Sequence, residues 1–303
     1  MRNHVVLGAI GLTLLLAPRA HAGEIAFRFN PPDGTAYLSS ERTTTEVEVK
    51  AGTMKPMTFK TVVEAKTRVA IQNTGMGYTV SRRPLSFAQT LNGVPLEEPG
   101  AKAMHDVPWN FVLDEEGTLL EVSGYPEFRR RLAGSQNPQA NALLASSFSE
   151  ETIQKGFKRD WKESVVRFSG QTASPSDTWV ESEETELPFG GTMRMIRKTQ
   201  FSPVPKAPKR VRIRVSLLAD KAALSSQLNQ ELLARLNAMG GKSGASVTIT
   251  ELTMTKEQVV DPETMLVDSA FTEFTMRAMM PQSDVKSAFT IRIRQDEARA
   301  YER

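Results

Sequence analysis

Apolar and polar residues alternate along most of this chain. The longest such stretch runs from Thr58 to Asn73. Phe59, Thr61, Val63, Ala65, Thr67, Val69 and Ile71 fall on one face, and Lys60, Glu64, Lys66, Arg68 and Gln72 on the other, with Val62 and Ala70 as exceptions. A period of two at this length predicts a long antiparallel strand with one solvated face. Thr35 to Val49 has the same character, and Gly75-Met-Gly turns the chain back into Tyr78 to Arg83. Ile25 to Phe29 reads as a short opening strand, ended by the turn formers Asn30-Pro-Pro-Asp-Gly. Trp109 to Leu113 and Thr118 to Val122 flank an acidic tip, Asp114-Glu-Glu-Gly117, and predict a hairpin. Further strands are predicted over 178–187, 192–201, 211–218, 247–254, 265–279 and 289–294. The Pro-rich stretch 202–209 reads as a stiff loop, and the charged tail 295–303 as frayed.

Helical periodicity is confined to two places. Residues 126–168 form a helical insert in which Pro126 opens a first helix and Gly134 closes it. Asn137-Pro138 opens a second, and Ser147-x-x-Glu150 caps a third. In that third helix Ile153, Phe157, Trp161 and Val165 recur every four residues, a stripe that must be buried against something. Residues 221–239 carry Leu224, Leu228, Leu232 and Leu236 on one side and stop at Gly240-Gly241. Strands, helices, strands, one helix and strands again predict an α+β fold with a large antiparallel sheet, expected as one β-rich domain over 23–303.

The N-terminus changes where this fold is expected to work. Arg2, an apolar run of 13 residues from Val5 to Ala17, Pro18 and Ala20-His21-Ala22 together read as a cleavable export signal spanning 1–22. That run is short of the roughly 20 residues of a membrane span, and no later segment supplies one. The chain has no cysteine, which rules out lipid attachment at a mature N-terminal cysteine. A periplasmic or secreted protein is expected. Loss of Arg2 and Arg19 with the signal lowers the 38 basic residues to 36, against 35 acidic ones. Such a balance carries no footprint for nucleic acid. The one dense basic stretch, 206–214, alternates Arg with apolar residues from Val211 onward, as a half-wet strand does.

Candidate chemistry is sparse. His4 and His21 leave with the signal, so His105, in a loop-like stretch, is the remaining histidine. Thiolate and His-rich metal sites are excluded, and no cofactor or catalytic residue is expected. Ser283-Asp-Val-Lys286 matches a four-residue Ser-x-x-Lys pattern without its usual partners. Glu115/Glu116 and Glu183/Glu184 are sequence neighbours, which a strand points to opposite faces, and they read as solvated charges. The suggestive group is apolar. Leu144, Phe148, Phe157 and Trp161 are placed to line a pocket between helices and sheet, or else to fill the core. Met254, Met265, Met276, Met279 and Met280 enrich the last third in adaptable side chains.

Three stretches carry a resemblance: Phe27-Arg-Phe-Asn-Pro-Pro-Asp-Gly-Thr-Ala-Tyr, Phe111-Val-Leu-Asp-Glu-Glu-Gly-Thr-Leu-Leu-Glu-Val-Ser-Gly, and the strand start Asp177-Thr-Trp179. With them the chain resembles a broad set of exported, uncharacterised bacterial β-rich proteins. Its layout is more distantly similar to the periplasmic lipoprotein-carrier fold. That resemblance implies a large, curved, half-barrel-like sheet with helices on one face and an apolar cavity for acyl chains. The expected role is a non-enzymatic binding or carrier protein for a lipid, lipoprotein or other apolar ligand. An envelope scaffold that binds another protein and a hydrolase with an unrecognised site are the alternatives.

Overall fold

The computed structural model describes residues 23–96, 104–133, 149–186, 192–238, 246–282 and 285–302. The expected signal segment 1–22, Leu144, Phe148, Ser147 and Ser283 lie outside them. So does the expected helix opening at Asn137-Pro138.

The strands are β1 (Ile25–Ala26), β2 (Ala36–Ala51), β3 (Met57–Asn73), β4 (Tyr78–Leu91), β5 (Val94–Leu96), β6 (Trp109–Leu113), β7 (Leu119–Ser123), β8 (Thr172–Ala173), β9 (Thr178–Glu186), β10 (Thr192–Val204), β11 (Ala207–Ala219), β12 (Thr248–Val260), β13 (Val267–Gln282) and β14 (Val285–Tyr301). The helices are α1 (Tyr125–Ala133), α2 (Glu150–Trp161), which runs into a π-helical turn at Lys162–Val166, and α3 (Lys221–Ala238). Twelve strands make one sheet in the order β7-β6-β4-β3-β2-β14-β13-β12-β11-β10-β9, with β5 beside β4. All its pairings are antiparallel, as the alternation requires. The first and last long strands meet at its centre, where β2 and β14 pair from Ala51↔Ser287 to Tyr37↔Tyr301.

The sheet is open, with β7 and β9 at its edges, but strongly curved. Seven strand spacings separate β4 from β10, about 33 Å if flat. Yet Tyr78 of β4 lies 5.0 Å from the Phe29 ring, and Phe201 of β10 lies 5.5 Å from the Phe27 ring. Phe27 and Phe29 stand about 7 Å apart along an extended chain. The sheet must therefore curl for both walls to reach one short segment. Buried Phe27, Phe29, Trp109, Phe111, Phe128 and Phe168 form this core on the concave side, where α1 and α2 also lie. A smaller cluster, Met195, Leu224, Val247, Ile249 and Ala278, sits under α3.

Several elements differ from expectation. The tail is not frayed, because β14 continues to Tyr301 between β2 and β13. Its charges alternate with small residues, and Glu297, Arg299 and Tyr301 each find an inward partner. The Pro-rich stretch is a hairpin rather than a loop. Pro203 pairs with Val211, and the ladder shifts register immediately after it. Proline is tolerated beside such irregularities because no ladder donor is needed there. The opening strand shrinks to Ile25–Ala26, which pairs with β8, and Phe27 and Phe29 serve as anchors instead. Ser149 caps α2, accepting a hydrogen bond from the Thr152 amide, whereas Ser147 was expected to do so. The hairpin at Asp114–Gly117 forms as expected. Gly117 has φ +82°, and a Cβ there would sit 2.6 Å from the Phe29 ring, so glycine is required.

Candidate functional site

Directly paired residues of an antiparallel sheet point to the same face, so the register alone divides the concave surface. It has three zones along the strand direction.

The first is the aromatic plug, built on one end of every long strand. Phe157 and Trp161 of α2 belong here. The Phe157 ring lies 5.0 Å from Phe111 and 5.4 Å from Trp109, and Trp161 meets Phe29 edge-on at 5.6 Å. The Trp161 indole donates to the Gly117 carbonyl at 2.7 Å. Their rings are thus placed against the core by contacts within the chain.

The second zone is a belt of charge. Arg197 of β10 is 3% exposed and ion-pairs with Glu163 and, at 3.4 Å, with Glu183. Arg167 reaches Glu163 at 2.9 Å and both Glu181 and Glu183 at 2.6 Å. The π turn ends α2 over this cluster, with the Arg167 amide donating to the Lys162 carbonyl five residues back. Burial works against ionisation of Glu163, but the Arg197 and Arg167 guanidiniums outweigh it and hold its pKa below the ordinary carboxylate value. At the centre of the sheet Glu41 and Glu297 are directly cross-strand neighbours. Glu297 is claimed by Arg299 at 2.7 Å and by the Ser39 hydroxyl at 2.9 Å. These partners overcome its burial and lower its pKa. Glu41 is left with the penalty: burial, then the charge of Glu297, pushes its pKa up. Among the described residues no three His, Cys, Asp or Glu side chains converge as a metal cage.

The third zone is an apolar floor. Moving away from Glu41 and Glu297 at the sheet's centre, successive cross-strand rows past the Lys256 row read Thr45, Ile293, Phe274 and Met254, then Phe59, Val47, Ile291, Met276 and Leu252, then Met57, Val49, Phe289, Ala278 and Ile249; the first of these continues through Leu217 to Arg197. Phe87, Leu91, Val94 and Leu96 continue the same face onto β4 and β5. Helix α3 covers the Ile249–Ala278 side through Leu224 and Leu228. The other wall is open among the described residues. On β3 the contrast lies within one strand face: Val69 and Ile71 are 2% and 3% exposed, Phe59 and Met57 44% and 50%.

The floor was only half legible in advance. The alternation on β3 is encoded locally, but β4 runs on to Leu91 and β5 follows, beyond the strand expected over Tyr78 to Arg83, and which end of each strand the helices cover is a tertiary fact. Glu183, read as solvated, is drawn inward by Arg167 and Arg197, while its neighbour Glu184 is exposed. His105 is exposed in a turn, where its carbonyl accepts from Arg131. A groove of about 220 Å³ runs along β12 to β14, lined mainly by the outward-facing Glu257, Val259, Ser269, Phe271 and Asp296. It is smaller than a typical ligand pocket, about 300 Å³ or more, and lies across the sheet from the floor.

No protein-family model and no curated protein matches this chain. Among solved structures, lipovitellin, described for its lipid–protein interactions, is similar at 9% identity and a TM-score of 0.48 over 89% of this chain. The chain spans about a quarter, 26%, of that protein's length. A DUF1329 family protein from Desulfovibrio piger shares 12% identity, with 83% of each chain covered and a TM-score of 0.11. Both lie below the similarity at which a shared fold follows. No helix among the described residues is long and apolar enough to cross a membrane.

Proposed function

We propose that this chain is an exported, non-enzymatic binding or carrier protein, a single domain once its signal is removed, that holds a lipid, a lipoprotein acyl chain or another apolar ligand on the open half of its concave sheet. The observation that supports this reading most is the exposure of the floor. Met57, Phe59, Phe87, Val94 and Leu96 share one concave face and are 41–64% exposed, whereas the same face of the same sheet is sealed at its other end. A contiguous apolar surface of this kind is a ligand or partner site in proteins that remain monomeric and dispersed. Curvature gives the surface two walls, so a bound chain would be contacted from both sides.

The scaffold alternative requires a sheet edge or face for a partner chain. Edge strand β9 carries Glu181, Glu183, Glu184 and Glu186, charges of the kind that discourage strand addition. That argues against strand addition at this edge, and the two walls of the curved open face favour a chain-like ligand over a flat protein partner, so the carrier reading leads.

A conjugated polyene fatty acid, whose emission rises in an apolar site, tests it. Saturable binding is expected, and Phe59→Asp combined with Phe87→Asp should weaken it about tenfold or more, given the transfer free energy of one buried phenyl group. The absence of saturable binding in the parent protein overturns the proposal.

A further inference from the structure

The row where belt meets floor reads Thr43, Gln295, Thr272 and Lys256 across β2, β14, β13 and β12. Val63 and Val215 flank these four, with Gln89 and Thr199 beyond them. It is the last polar row before Ile293, Phe274 and Met254. Its members differ in what they bond. Thr43 and Gln295 turn to the Glu41 carboxylate. Thr272 and Lys256 make no side-chain hydrogen bond or ion pair among the described residues.

Among the described residues the other concave-facing strand and helix-end cations each have a carboxylate partner or face one. Arg167 and Arg197 hold Glu163 and Glu183, and Arg299 holds Glu297. Arg82, on the far wall, lies over the Phe157 ring at 5.9 Å and faces Glu41 and Glu297. Lys256 is half-buried between Met254 and Gln258 on its own strand face, opposite Val215 and Thr272. Burial lowers its pKa from the ordinary lysine value. The fields of Glu163, Asp160 and Glu297 act against that, and Arg197 adds to it. Glu163 is already shared between two arginines and makes no ion pair with Lys256.

We infer that Lys256, with the Thr272 hydroxyl beside it, is the head-group site of this concave face and selects amphiphiles that carry a carboxylate or phosphate monoester at the end of an apolar chain. The inference rests on the carrier reading, because it is that ligand's tail that would lie on the floor rows. An anionic oxygen at the ammonium replaces water lost to burial with a charge-assisted hydrogen bond. The floor begins one row away, so the head meets Lys256 and the tail runs from Met254 and Phe274 toward Met57 and Phe289. A ligand bound the other way would place its chain among charges.

The test compares matched pairs on the purified protein by isothermal titration: palmitate against hexadecanol, and 1-palmitoylglycerol 3-phosphate against 1-palmitoylglycerol. At least one anion should bind about tenfold tighter than its neutral partner, the effect of roughly one charge-assisted hydrogen bond, and the preferred pair identifies the head. Lys256→Met should abolish the preference, chiefly by weakening the anion about tenfold, and Lys256→Arg should restore it. If the parent binds neither member of either pair, the carrier reading falls and takes this site with it. If it binds the neutral and anionic members equally, or if Lys256→Met keeps the preference, the head-group site is refuted and the carrier reading stands. The ¹³C-carboxyl resonance of bound labelled palmitate gives a second readout. If palmitate is the preferred anion, it should titrate at lower pH in the parent than in Lys256→Met, and identical titrations would then also refute the site.

Discussion

The two ends of β3 share one alternating pattern and meet opposite fates. At one end Val69 and Ile71 are sealed beneath Phe27, Phe29 and α2; at the other, Phe59 and Met57 stand open. Nothing in the residue types separates the ends, since both are apolar on the same face. What separates them, among the described residues, is α1, α2 and the π turn, which fill one end of a curved sheet and end where Glu163 meets Arg197. A single pattern of burial-competent residues thus serves as core where something covers it and as a candidate binding surface where nothing described does.

The most direct way to break this comparison is to delete one large side chain at each end. Trp109→Ala should cost about 3–5 kcal/mol, as expected for a cavity in a sealed aromatic core. Phe59→Ala should shift stability by less than about 0.5 kcal/mol. Urea denaturation of both variants checks this, and equal losses would mean that the open end is packed in solution.

The boundary between the ends offers the next test. Glu163→Gln leaves the buried Arg197 guanidinium only its 3.4 Å contact with Glu183 and should destabilise by about 2–3 kcal/mol at neutral pH. Because the folded-state pKa of Glu163 is lowered, its contribution is present above the unfolded value, about 4.3, and lost as pH falls through the lower folded value. Parent and variant should therefore converge in acid, which a series of denaturant midpoints against pH would show.

Glu41 reverses the sign. Its raised folded-state pKa means that stability is greatest with the carboxyl protonated and declines as pH rises through that value. Glu41→Gln removes one of two facing like charges and should stabilise by up to about 1 kcal/mol at neutral pH. The gain should fade in acid, and a gain independent of pH would show that the Glu297 charge is not its source. The smallest effect is expected at Val94, the most exposed of the floor side chains. Val94→Ser should leave the melting temperature unchanged within about 1 °C, matching a near-zero stability change, while weakening the fluorescent fatty acid measurably.

Strand class, the Asp114–Gly117 hairpin and the Phe157–Trp161 stripe were legible because local periodicity encodes them. The tail was not. Gln295 to Arg303 looks solvated in sequence, and only its pairing partners, Ser39, Tyr37 and the Val267 carbonyl, explain inward Glu297, Arg299 and Tyr301. Those partners lie 258, 262 and 34 residues away. The prolines at 203 and 205 hid a hairpin for a related reason, since a register shift absorbs the missing donor. Lys256 likewise reads as one charge among many on a strand. Its isolation emerges only once the register shows where every other concave-facing charge has gone.

The meeting of β2 and β14 at the middle of the sheet also bears on how the molecule comes together. A seam of fifteen residue pairs joins segments some 250 residues apart, so ring closure across most of the chain precedes its reward. Until β14 is available, β2–β4 and β10–β13 are two half-sheets with no shared ladder. A nascent chain emerging in order would hold its widest apolar surface unfinished to the last, in need of protection while it waits.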